Sequence, residues 1–246
     1  IVNSYRIEKD SITAVKVWDG GPSPKPNIEL QLYRDGESYG DSVTLTNGKL
    51  SHTWKDLELN DEEGHVYDYT VKEITIGGSE VKEGEVVNNY TASVEKDENG
   101  QFIVTNTYVS PKTEVTGRKD WVDGPVTKPT VELQMYRHIE GEEPELVEGS
   151  NVVLDGNETE PWTYTWTDLD ETDHDGHVYT YTVEEVNVPR NYNKTVSEDG
   201  LTITNTYESP KIDVTGTKEW INGPGEKPSI ELQLYQNGEA YGDPVT

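Results

Sequence analysis

Along most of this chain apolar and polar residues alternate in short runs, as in Tyr179-x-Tyr181-x-Val183-x-Glu185 and Leu201-x-Ile203-x-Asn205-x-Tyr207. Side chains of a strand point to opposite faces with period two, so these runs predict β-strands with one face turned to a core. The runs are rich in Val, Ile, Thr and Tyr, and turn signals fall between them: Asp35-Gly36, Asn47-Gly48, Asn99-Gly100, Asp199-Gly200 and Asn237-Gly238. No useful length shows helical periodicity. About one hundred residues of regularly spaced strands per unit predicts an all-β fold of sandwich type.

The runs recur. Val115-Thr-Gly-Arg-Lys-Asp-Trp121 returns as Val214-Thr-Gly-Thr-Lys-Glu-Trp220 and is preceded by Ile12-Thr-Ala-Val-Lys-Val-Trp18. Each is followed by a Gly/Pro-rich turn and a strand such as Asn27-Ile-Glu-Leu-Gln-Leu-Tyr33, and His65-Val-Tyr67 matches His177-Val-Tyr179. Asn3 and Asn205 are as far apart as Lys16 and Lys218 (205 − 3 = 218 − 16 = 202). Residues 203–246 therefore repeat residues 1–44 in phase. The predicted organisation is the last strand of a preceding repeat with its linker (1–10), two complete repeats (11–110 and 111–209), and the first strands of a truncated one (210–246). The linkers Val109-Ser-Pro-Lys112 and Glu208-Ser-Pro-Lys211 are short and stiffened by proline, which predicts an extended rod of modules. The chain opens on Ile1 without a signal peptide and is expected to be an internal piece of a longer array, 211–246 being ordered only by a neighbour.

Composition narrows the function. Twenty basic residues against 48 acidic ones give a formal net charge of −28, which repels nucleic acid and anionic membrane surfaces. No segment approaches the ~20 apolar residues of a membrane span, so no membrane insertion is expected. Hydrophobic content is only 31%, but six tryptophans and fifteen tyrosines set in repeated alternating strings argue for folded domains. With no cysteine, neither disulfides nor thiolate metal sites are available.

Three polar residues break the pattern on the face that should be buried. In the second repeat they are Lys119, Glu185 and Asn205; in the first, Lys16, Glu73 and Asn106. Burying a lone amine or carboxylate is costly, so the three are expected to meet inside each sandwich. Burial lowers a lysine pKa and raises a glutamate pKa. A neutral amine can then attack the asparagine amide, with the glutamic acid polarising the carbonyl and relaying a proton to the departing ammonia. A buried Lys–Glu pair with a hydrogen-bonded asparagine and no covalent bond is the other arrangement these residues allow. Glu184 beside Glu185 has the outward parity, and Ala14 stands where the other repeats have Gly117 and Gly216. Lys218 lacks its glutamate and asparagine, and Asn3 its lysine, so both are expected to remain incomplete.

Lys-x-Trp in a first strand, Tyr-x-Val-x-Glu later and a terminal Thr-Asn-Thr-Tyr resemble the B-type repeat of the collagen-adhesin (Cna-B) family, found in surface adhesins and pilins of Gram-positive bacteria. The resemblance covers essentially the whole chain. It implies tandem inverse immunoglobulin-like sandwiches, each with an internal Lys–Asn isopeptide bond promoted by Glu73 or Glu185. It further implies a stalk segment of a cell-wall-anchored, extracellular protein, with neighbouring repeats as partners and host matrix protein as the partner of the parent adhesin.

Other signals are weaker. Asp168-x-Asp170-x-x-Asp173-x-Asp175-Gly176 and Asn60-Asp-Glu-Glu-Gly64 lack the ligand spacing and closing glutamate of an EF-hand and are taken as solvated hairpin loops. His65 and His177 open strands and are taken as structural. Asn89, Asn157 and Asn193 match the glycosylation acceptor pattern, accidental in a bacterial protein. No metal or cofactor is expected. A ligand-binding module touching host matrix protein is the alternative to a stalk, although alternation places no apolar patch outside. A turnover enzyme has only the self-directed triad behind it.

Overall fold

The structure is a computed structural model describing residues 6–155 and 162–246. Asn3 and Asn157 lie outside the described residues. Among the described residues no helix is long and apolar enough to cross a membrane. The chain divides into two units, Ile1–Tyr207 and Glu208–Thr246.

The first unit holds two sandwiches of the same plan. In the first repeat β1 (Lys9–Asp19), β5 (Ser51–Glu58), β8 (Tyr90–Lys96) and β9 (Phe102–Tyr108) form a sheet in the order β5-β1-β9-β8. The facing sheet runs β3-β2-β6-β7, with β4 also paired to β2; its strands are β2 (Ile28–Arg34), β3 (Glu37–Ser38), β4 (Val43–Leu45), β6 (Tyr69–Ile76) and β7 (Ser79–Glu80). In the second repeat β10 (Lys112–Val122), β14 (Trp162–Asp170), β16 (Tyr192–Val196) and β17 (Thr202–Tyr207) give the order β14-β10-β17-β16. Its partner sheet comprises β11 (Val131–His138), β12 (Glu145–Leu146), β13 (Val152–Leu154) and β15 (Thr180–Glu185), with β11 at its centre.

The first and last strands of each repeat lie side by side and parallel: Lys16 pairs with Val104 and Trp18 with Asn106, as Lys119 pairs with Ile203 and Trp121 with Asn205. The alternation produces the core directly. Along β9, Phe102, Val104, Asn106 and Tyr108 are buried and the residues between them less so. Leu30, Leu32, Val71 and Ile76 meet them from the other sheet, and in the second repeat Leu133, Met135 and Val183 meet Ile203 of β17 in the same way. Two features depart from simple alternation. Pairing between β2 and β6 slips at Glu29/Leu30, opposite Glu73 and Thr75, so Ile74 is an extra residue. The strand continues past Glu73 to Ile76. A second slip sits opposite Asp56 and Asp168, both in the left-handed region at φ 57° and 60°.

Taken by itself, the second unit contains one hairpin, β18 (Leu232–Gln236) with β19 (Glu239–Val245), turning at Asn237-Gly238 where both residues have positive φ. Exposed apolar side chains gather here, among them Ile212, Ile221, Tyr235 and Val245, at 84%, 84%, 62% and 70% exposure. Alternation had placed no such patch outside. The difference arises because the strand expected around Lys218 is not formed, leaving Ile212 and Ile221 outside any strand, and because, among the described residues of the unit, no second sheet covers the hairpin.

Candidate functional site

Each sandwich brings an amine, a carboxyl and a carboxamide together in its apolar core. Lys16, Glu73 and Asn106 are 3%, 6% and 0% exposed; Lys119, Glu185 and Asn205 are 0%, 2% and 0%. The backbone register explains the meeting. In the parallel pair β1/β9, Lys16 stands opposite Val104, so Asn106, two residues on, shares its face and lies diagonal to it. Glu73 comes from the facing sheet, opposite Leu30, and Glu185 likewise stands opposite Leu133.

The asparagine–glutamate bond and the lysine–indole contact recur in both repeats, while the lysine contacts beyond the next residue's carbonyl differ. Asn106 Nδ2 donates to Glu73 Oε1 at 3.1 Å, and Asn205 Nδ2 donates to Glu185 Oε1 at 2.9 Å. Lys16 Nζ lies 3.9 Å from Glu73 Oε1 and donates to the carbonyls of Val17 (2.9 Å) and Val104 (3.2 Å). Lys119 Nζ donates to the Asp120 carbonyl at 2.9 Å. An indole covers each amine, Trp18 at 4.2 Å and Trp121 at 4.1 Å from ring centroid to Nζ. The role of that tryptophan was legible only as the motif Lys-x-Trp: two residues on in a strand is the same face.

Burial sets the protonation. Loss of solvation lowers Lys16 to about 8, partly opposed by the nearby Glu73, and lowers Lys119 to about 8. The same cause raises Glu73 to about 7 and raises Glu185. Glu73 Oε2, Asn106 Oδ1, Glu185 Oε2 and Asn205 Oδ1 are all buried without a hydrogen-bond partner. A half-turn of each amide would bring its oxygen to the carboxyl, and a protonated carboxyl would satisfy it by donating. That is the bond that makes the amide carbon electrophilic.

Lys218 is exposed, its Nζ donating to the Glu219 carbonyl at 2.6 Å and lying 4.2 Å from the Trp220 ring. The lysine–indole element thus recurs there. Glu184 is exposed, as its parity required, and lies 3.4 Å from Lys194. In the acidic loop of the second repeat, Asp173, Asp175 and His177 each bring an atom within 4.8 Å of the others. Asp173 already uses both its oxygens within the loop: Oδ1 accepts from the Asp175 and His177 amides, and Oδ2 meets His177 Nδ1 at 2.9 Å.

The model of the Cna protein B-type domain matches residues 12–107 and again 115–206. The chain belongs to that family. A collagen adhesin of Staphylococcus aureus is 32% identical over 260 residues, covering 98% of this chain and 20% of that protein. The chain therefore spans about a fifth of the length of this curated relative. Among solved structures, a single B repeat unit of the S. aureus collagen-binding surface protein is 27% identical, with 82% of this chain and 100% of that chain covered and a TM-score of 0.33. Two B repeat units of the same protein are 21% identical, with 81% and 75% covered and a TM-score of 0.37. The chain is a tandem of B-type β-sandwich repeats, and its two buried triads occupy the same places in both.

Proposed function

We propose that this chain is a load-bearing stalk segment of a cell-wall-anchored surface protein, its B-type repeats stiffened by self-formed Lys16–Asn106 and Lys119–Asn205 isopeptide bonds. The repeats would span 11–110 and 111–209, flanked by the end of one repeat in 1–10 and the start of another in 210–246. Family membership and the adhesin relative, both of Gram-positive surface proteins, support an extracellular setting. Neighbouring repeats are the immediate partners, and any contact with host matrix protein belongs to the parent protein.

One observation carries the reading: in both repeats a buried amine lowered to about 8 shares a dry pocket with a carboxyl raised by burial and bonded to a buried carboxamide. The neutral lysine nitrogen attacks Asn Cγ. The carboxyl of Glu73 or Glu185 takes a proton from that nitrogen and delivers one to Nδ2. The Cγ–Nδ2 bond breaks, one ammonia leaves, and one new amide remains. Each glutamate returns to its starting state, but the amide is spent, so the event happens once per repeat.

The new bond would join two parallel strands. Force entering at the start of β1 and leaving at the end of β9 loads their ladder in shear, and the bond bridges that ladder. Intact-mass measurement tests the proposal. We expect a chain lighter than its sequence by two ammonia molecules, with Lys218 contributing none. A mass equal to the sequence would sink the covalent reading and leave a buried, non-covalent triad.

A further inference from the structure

Two sandwiches on a short linker could swing independently or be held. The contacts between the repeats favour the second, and they converge on one loop. After β14, residues 171–177 close on themselves through Asp173 Oδ1, and Thr172 bridges Val178. The first repeat builds the same loop, with Asp61 Oδ1 accepting from the Glu63 and His65 amides at 2.9 Å each and Asn60 bridging Val66. The loop shape is therefore intrinsic to the repeat. What differs is what it meets.

In the second repeat the His174 carbonyl accepts a hydrogen bond from the Gly21 amide of the first repeat at 2.7 Å. His174 Nε2 lies 3.1 Å from Asp19 Oδ1. Gly20 has φ 76°, and a Cβ there would collide with the His174 carbonyl oxygen. A Cβ on Gly176 would lie 2.6 Å from Pro22 Cδ. Beneath, Tyr108 Oη meets Thr172 Oγ1 at 3.0 Å in a buried contact, and the Thr172 amide donates to Ser110 Oγ at 2.9 Å. The linker is tied on both sides: the Val109 amide donates to the Asn89 carbonyl (2.8 Å), and the Pro111 carbonyl accepts from the Glu171 amide (2.9 Å).

We propose that the 171–177 loop of the second repeat and the Asp19–Pro22 turn of the first form a docking joint that holds the two sandwiches as one rigid body. The buried tyrosine–threonine contact and the backbone bond hold it. The exposed Asp19–His174 pair adds little affinity but sets selectivity. At the position after the first-strand tryptophan stand Asp19, Val122 and Ile221; at the loop tip stand Glu62 and His174. An Asp19-type turn accepts a His174-type loop and repels a Glu62-type one, so the repeats are not interchangeable in order. The joint does not use the lysine–asparagine bonds and stands or falls apart from them.

The absence of cysteine makes the test direct. Spin labels on Lys55→Cys and Thr167→Cys, both exposed, report the distance between repeats in the whole chain by double electron–electron resonance. One narrow distance peak is expected. Gly176→Ala should broaden it at least twofold. Gly64→Ala is the matched control, since φ is 89° and 88° at the two glycines but nothing lies within 4 Å of a Cβ on Gly64. Asp19→Ala combined with Tyr108→Phe should also broaden the peak while each sandwich keeps its own amide spectrum. A broad peak in the parent chain, equal effects of the two glycine variants, or an Asp19→Ala, Tyr108→Phe double variant as narrow as the parent would each overturn the proposal.

Discussion

Replacing Glu73 by glutamine keeps the size and the hydrogen-bonding capacity of the side chain but removes the group that moves the proton. Lys16 and Asn106 should then stay unlinked, while the proposed Lys119–Asn205 bond still forms. The thermodynamic consequence has two parts. The bond closes a loop of 90 residues (106 − 16), and by the chain-entropy relation for cross-links its loss frees about 4–5 kcal/mol of unfolded-state entropy. The variant also keeps an amine in the core. Lys16 is lowered from 10.5 to about 8 even with Glu73 beside it, and at roughly 1.4 kcal/mol per unit this costs on the order of 3 kcal/mol at neutral pH. Together these approach the whole stability of an ordinary domain, about 5–15 kcal/mol. Calorimetry should show the first repeat melting at least roughly 20 °C lower while the second holds its temperature. Intact mass should fall short of the sequence by one ammonia rather than two. If Glu73→Gln forms the Lys16 bond at the normal rate, the proton-relay role is wrong. If the unlinked variant melts with the parent, the bond carries no stability.

Three further outcomes are expected. Bond formation in the first repeat should follow a bell in pH, because it needs a neutral lysine (about 8) and a protonated glutamate (about 7) at once. Below pH 7 the rate should fall about tenfold per unit as the amine charges, and above pH 8 it should fall likewise as the carboxyl ionises. A caged Lys16, unmasked in urea and diluted into buffers from acid to alkaline, measures this by mass, and a flat profile would count against the mechanism. Under single-molecule pulling, the linked first repeat should release none of the roughly 300 Å held between Lys16 and Asn106, whereas Asn106→Ala should release it in one step. Gly117→Ala should destabilise the second repeat by about 1–3 kcal/mol, since a Cβ there would sit 2.8 Å from the Trp166 ring and 3.0 Å from Val183; denaturant melts that match the parent would refute the crowding argument.

Much of the fold was legible because its signal is local. Period-two alternation located β9 and β17 together with their buried asparagines, and Asn237-Gly238 gave its turn from two residues. The triads were legible because a lysine, a glutamate and an asparagine each occupied a phase reserved for apolar residues, twice. The bulge after Glu73 was not, since an extra residue in a strand shifts the phase without any distinctive side chain. The joint between repeats was hidden for a different reason. Asp19 and His174 are far apart in sequence, both are exposed, and neither breaks any pattern in its own strand. The apolar surface of 210–246 escaped notice because alternation says which face points inward, not whether anything covers it.

The parallel pairing of first and last strands also orders events in time. A repeat emerging from the ribosome presents β1 long before β9 exists, and the position beside β1 that receives Asn106 stays unfilled for the length of the repeat. Until then Lys16 would have no amide to attack under the proposed reaction, and the unfinished repeat would remain an unlinked thread. With the proposed bond, completion of the last strand would turn a pliable thread into an inextensible one, so the contact that would make the repeat strong would also postpone that strength until the whole repeat has been made.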